Sequence, residues 1–341
     1  MKEKNNLNFA FLTALACLMV VFFHTNNGFE AYSNTVSWRI NCAERCIVCS
    51  AIPIFFMLTG AKLLNYRERY GTREYVKKRL LRVGIPFLFW NLFAALFRRL
   101  AVGAWSFSSI RAFIEQFLNS EFQPRYWFFF PLFAVYAAIP VVSLLCRQRK
   151  YLWYTVLVSF ALTWVLRPLG SMLSIHWNSY LMMPVSGGFL GYVLFGYLVS
   201  TEVWSRKKRM VLYALAAAGS LFAFFWTWQS SAAAGETAKL MVDYSSFPAA
   251  LLGAAVFVLV RHLDFSRLAC RPRLAKALLL TADASMGIWL THTFCLVFLD
   301  KLTAIPDSGY VWRFAVPIVT FLLCLVGVRI VKHIPVLKRL V

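Results

Sequence analysis

Apolar residues in this chain fall in long runs, broken by short clusters of Lys and Arg. The runs lie at 8–25, 45–64, 83–102, 127–145, 151–168, 184–200, 209–228, 246–260, 278–300 and 314–332. Within each run the apolar positions are continuous. That pattern suits a membrane helix rather than a strand of a membrane barrel, where polar residues would alternate. About 20 apolar residues cross the hydrocarbon core as a helix. The pattern therefore predicts ten spans, of which 151–168 and 246–260 are the weakest. The expected fold class is all-α, a polytopic membrane helix bundle forming one domain over 1–341. No Pro/Ser linker, low-complexity tract or long polar stretch marks a second domain. No repeat of two halves is visible, which disfavours transporter folds built that way. The first run follows Lys2 and Lys4, as a signal peptide would. No small-residue cleavage site follows Phe23 and nine more runs come after it, so it reads as an uncleaved helix.

Composition sharpens the contrast with soluble proteins. The chain has 341 residues, 60% hydrophobic and 15% charged, whereas soluble domains are about 45–50% apolar and about 25% charged. The same figures exclude a disordered chain. The charge balance is strongly basic, with 36 Lys+Arg against 14 Asp+Glu and a net charge of +22. In a soluble chain that would suggest nucleic acid. Position decides otherwise. With the N-terminus inside, 25 of the basic residues fall on inner segments and 10 on outer ones, and Lys62 lies in a span near its inner end. Acidic residues show no such bias. Cytoplasmic loops of membrane proteins carry this excess. The expectation is both termini cytoplasmic, a lipid bilayer as partner and no nucleic acid.

Eight cysteines are scattered along the chain. Cys42, Cys46 and Cys49 have the spacing of iron–sulfur radical enzymes, but they share one helix face and run into the second span. Buried packing is the stronger reading, and no metal is expected. Gly188, Gly191 and Gly196, with Gly187, read as close helix packing. His24 ends the first span and His292 lies in the outer half of the ninth. An ionisable residue in an apolar helix is a functional candidate, and neutral imidazole accepts a hydroxyl proton near neutral pH. The bland alternative is a histidine hydrogen-bonded at the interface. His176, His262 and His333 fall in loops or at ends. Arg79 and Arg82, in the basic segment entering the third span, are neighbours on one helix face. They read as an anchor to anionic lipid or as a phosphate site. Arg125, before Tyr126 and Trp127, either snorkels or orients a sugar or an anion.

In order along the chain these pieces resemble the integral-membrane acyltransferases called acyltransferase family 3, which include surface-polysaccharide O-acetyltransferases. The matching stretches are Ala16 to Thr25 around His24, and Pro53-Ile54-Phe55-Phe56-Met57-Leu58-Thr59-Gly60. Then come Arg79-Leu80-Leu81-Arg82-Val83-Gly84-Ile85-Pro86, Tyr126 to Phe130 with Tyr136 and Pro140, and Ser285 to His292. The resemblance covers about 8 to 332. It implies transfer of an acetyl group from acetyl-CoA to a carbohydrate hydroxyl, with a catalytic role for His24. One departure stands out. The family usually has Arg eleven residues before that histidine, and here the position is Thr13. Eleven residues return to nearly the same helix face about 16 Å away. Thr13 keeps a hydroxyl without the charge, so Arg79 and Arg82 are expected to carry more of the phosphate recognition.

The reading is a bacterial inner-membrane O-acyltransferase. Acetyl-CoA enters at the basic face, His24 is the base, and Trp127, Tyr136 and His292, with Arg125, line or orient a lipid-linked or exported glycan. An acetyl-histidine relay is the variant mechanism. The alternatives are a multi-pass transporter or flippase, and an inactive relative serving as a membrane sensor or assembly subunit.

Overall fold

The computed structural model describes residues 2–102, 107–175, 178, 188–303, 305–306 and 309–341, with the side chains of 2–5, 101 and 102 left aside. His176, Gly187 and the start of the sixth apolar run lie outside the described residues. Everything described is helix or connection, and no strand occurs among the described residues. The helices are α1 (Lys2–Thr25), α2 (Val36–Val48), α3 (Ala51–Leu63), α4 (Thr72–Arg79), α5 (Ile85–Val102), α6 (Ile110–Leu118), α7 (Phe129–Val142) and α8 (Arg149–Ser159). They continue as α9 (Arg167–Met172), α10 (Leu190–Thr201), α11 (Arg206–Ala234), α12 (Phe247–His262), α13 (Ser266–Ala269), α14 (Pro272–Leu302) and α15 (Tyr310–His333).

Among the described residues, nine helical stretches are long and apolar enough to cross a membrane. Several are compound: α2 with α3, α4 with α5, and α8 with α9 each make one stretch. The weak runs at 151–168 and 246–260 fall within full-length stretches, Arg149–Met172 and Leu240–His262. The sixth run differs from expectation. Its described helix, α10, has 12 residues and is too short to span alone, since about 20 are needed.

Prolines account for the breaks. Pro53 has no N–H for the carbonyl of Cys49, and the ladder is interrupted at Cys49–Ser50 before α3 begins. Two wide, π-type turns, Leu80–Gly84 and Phe160–Leu166, each end two residues before a proline, Pro86 and Pro168. Each proline leaves the carbonyl four residues back without its usual donor, and a wide turn is one local adjustment to that.

The hub is α1, which packs on α3, α12, α14 and α15. The most extensive helix pair is α3 with α10. There the side-chain-free faces of Gly60 and Gly196 lie against the backbones of Val193 and Met57, so a Cβ at either position would overlap main chain. Van der Waals contact at small residues is what joins helices in lipid, because apolar side chains gain nothing by leaving it. The outer surface is correspondingly apolar: Ile318, Leu322, Val326 and Ile330 of α15 are exposed. Cys42 and Cys46 pack with Phe29, Trp38, Met241 and Val242.

Candidate active site

Three voids follow one another through the bundle. The first is a basin of about 1170 Å³ lined by Lys62, Lys77, Arg79, Arg82, Lys332, Lys338 and Arg339. Its one lining carboxylate, Asp283, is already paired with Lys332 at 2.6 Å and Arg329 at 3.7 Å. The basin brings together the start of α1, the basic α4 segment and the C-terminal end of the chain. Trp90 Nε1 donates to the Leu340 carbonyl at 2.8 Å, which holds the C-terminal end against α5.

A middle chamber of about 180 Å³ shares Lys62, Arg79, Tyr136 and Met286 with the basin. Thr13, Thr59 and Ser285 add hydroxyls to walls that are otherwise apolar. Arg79 sits 5.7 Å from the Tyr136 ring and 5.9 Å from the Tyr75 ring. Tyr75 in turn donates to the Tyr136 carbonyl at 3.1 Å. These rings flank the guanidinium, and among the described residues it has no carboxylate partner.

The third chamber, of about 270 Å³, is lined by His24, Phe23, Arg125, Trp127, Tyr244 and Trp289 among others. Trp289 borders both the second and third chambers. Its ring stacks on Phe128 at 4.4 Å and meets Phe55 edge-on at 5.1 Å. The three rings form a partition. The Trp289 indole N–H is buried with no acceptor among the described residues, so none of them fixes the ring by a hydrogen bond there.

His24 and His292 stack with ring centroids 5.3 Å apart. His292 is fully buried, and its Nδ1 lies 2.6 Å from the Trp289 carbonyl. A carbonyl only accepts, so Nδ1 carries the proton and Nε2 keeps its lone pair. Tyr126 reinforces this turn of α14 by donating its hydroxyl to the Leu290 carbonyl at 2.5 Å. Trp127 stacks on Tyr244 at 4.9 Å, giving the chamber a flat aromatic wall. Arg45, 3.9 Å from the Phe23 ring, is buried behind that ring and paired with Glu30 at 2.6 Å.

The structure thus groups His24, His292, Arg125 and Trp127 at one end, and Arg79, Arg82 and Thr13 at or next to the other. Tyr136 falls with Arg79 rather than with Trp127. Nine residues separate the two, about 14 Å along a helix, so they line different chambers. Among the described residues, His262 and His333 each bond the carbonyl four residues back, Val258 and Arg329. Tyr244, Trp289 and Lys62 were not singled out from sequence. Tyr244 carries no motif of its own, Trp289 enters only as part of the Ser285 to His292 stretch, and Lys62 reads only as a marker of topology. Among the described residues no group of three or more His, Cys, Asp or Glu is placed to hold a metal ion.

A family model described as an acyltransferase domain matches residues 8–331. No match was found among curated proteins or solved structures. The match includes both histidines, Arg79, Arg82 and the three rings of the partition, and the chain belongs to the acyltransferase 3 family of membrane acyltransferases.

Proposed function

We propose that the protein moves an acetyl or other short acyl group from acyl-CoA to a hydroxyl of a lipid-linked or cell-surface glycan, with His24 as general base. The observation that carries this reading is the line of voids from a cationic basin to an imidazole pair. By the positive-inside rule the basic end lies in the cytoplasm, with both termini, and the histidine end faces the outer side of a bacterial inner membrane.

The donor's phosphates sit in the basin on Arg79 and Arg82, whose planar forks suit phosphate oxygens. The acyl-bearing arm threads the middle chamber. Passage past Phe55 and Phe128 requires the Trp289 ring to swing aside, and no hydrogen bond resists that motion. The acceptor enters the third chamber against Trp127 and Tyr244, where a sugar's C–H face lies on the aromatic wall and Arg125 meets its polar groups. His24 takes the hydroxyl proton as the oxygen attacks the thioester carbonyl. The tetrahedral intermediate collapses, the C–S bond breaks, and the imidazolium returns the proton to the leaving sulfur. His292, fixed in one tautomer, holds the plane of the His24 ring through the stack.

The test is transfer of labelled acetyl from acetyl-CoA to glycan by the purified protein in a bilayer. Wild type labels the glycan, and His24→Ala at equal protein level does not. Labelling retained by His24→Ala removes His24 from the mechanism. No labelling by wild type, across a panel of glycan acceptors, removes the proposed reaction.

A further inference from the structure

Lys62 occupies the neck between the basin and the middle chamber, where it lines both. Its ammonium donates to Thr13 Oγ1 at 3.1 Å, across from α3 to α1. Thr13 is buried, and its own proton goes to the Phe9 carbonyl at 2.6 Å. The hydroxyl therefore offers only its lone pairs to Lys62. This contact aims the ammonium without neutralising it. Among the described residues Lys62 has no carboxylate partner, whereas Lys332 is paired with Asp283 and Lys78 with Glu74. An uncompensated charge inside a membrane span is costly unless an anion meets it.

We propose that Lys62, aimed by Thr13, is the residue that holds the diphosphate of the acyl-CoA donor at the neck. The assignment rests on the donor proposed above and names the group that this cation, beside Arg79 at the neck, reads. Length selects the group. Thr13 lies eleven residues before His24 on α1, about 16 Å along the axis. The arm of coenzyme A between its diphosphate and its sulfur has the length of about four extended residues, about 14 Å. A diphosphate at Lys62 therefore delivers the thioester to His24. A diphosphate held only at Arg82, further out in the basin, leaves it short. The cation here comes from α3 and is aimed from the facing wall by Thr13 of α1.

The discriminating pair of substrates is acetyl-CoA and S-acetyl-pantetheine, which has the same arm and no phosphate. In Lys62→Met the KM for acetyl-CoA rises about ten- to a hundredfold, the range expected for loss of a hydrogen bond to a charged group. Turnover of S-acetyl-pantetheine stays at the wild-type level, which also shows that the variant is folded. Lys62→Arg keeps most of the acetyl-CoA affinity. Adding Thr13→Arg to Lys62→Met returns a cation to the neck from the opposite wall and recovers the KM. Equal losses with both substrates, or no change with acetyl-CoA, overturn the assignment of Lys62 while the proposed reaction stands. A wild-type protein inactive with both donors overturns the proposed reaction itself.

Discussion

The two ends of the bundle solve opposite problems with the same helices. At the basic end, charge is abundant and loosely held: the basin is wide and its cations mostly lack acidic partners. At the histidine end, charge is scarce and tightly held. Arg45 is locked to Glu30, Glu30 also binds Lys239 at 2.5 Å, and His292 is buried with a fixed tautomer. A wide cationic basin suits capture of a large anion through many weak contacts. A small chamber with a fixed imidazole suits chemistry on one bond, where orientation carries the rate. On the proposed reaction the difference separates affinity from turnover in space, and each end is open to a variant that should disturb only its own property.

The largest effect short of removing His24 itself belongs to the basic end. Replacing both Arg79 and Arg82 by Ala should raise the KM for acetyl-CoA by more than about a hundredfold, taking each charged hydrogen bond at about 1.5–3 kcal/mol. The turnover number at saturating donor should hold. A fall in turnover with an unchanged KM would place these arginines in the chemistry and erase the distinction between the ends. At the histidine end, Trp127→Ala should weaken acceptor saturation by about two- to tenfold, the value of one aromatic contact, with donor KM unchanged. A donor effect of the same size would mean that the two chambers are not separate sites. The smallest effect is structural. Tyr126→Phe leaves packing intact and removes one bond to the Leu290 carbonyl. It should lower stability by about 1 kcal/mol, read as a shift in thermal melting. If the bond also holds the His292 turn in register, turnover falls with it.

Much of this arrangement is legible from the sequence because membrane helices announce themselves locally. Run length placed the spans, and the position of Lys and Arg picked out the basic end. The segment around 184–200 went astray because hydropathy counts apolar residues without asking where a helix begins. The Gly188 backbone is left-handed, with φ +62°, and α10 starts only after it. His24 and His292 stood out as ionisable groups in apolar runs. Their stacking did not, since 268 residues separate them. The bond from Lys62 to Thr13 leaves no local pattern either, since 49 residues separate the two. Tyr136 was grouped with Trp127 by proximity in sequence, although nine residues along a helix lead to a different depth.

The partition of Phe55, Phe128 and Trp289 has an electrical side. A conduit that joined the two faces of a bilayer, entered through a cationic mouth, would leak anions down the membrane potential. Each elementary charge crossing releases about 2.3 kcal/mol per 100 mV. Three aromatic rings in mutual contact stand between the middle chamber and the outer one. On the proposed reaction, the rings that yield to an acyl chain are also the insulation of the cell's energy store, and an enzyme built this way needs its gate shut whenever its substrate is absent.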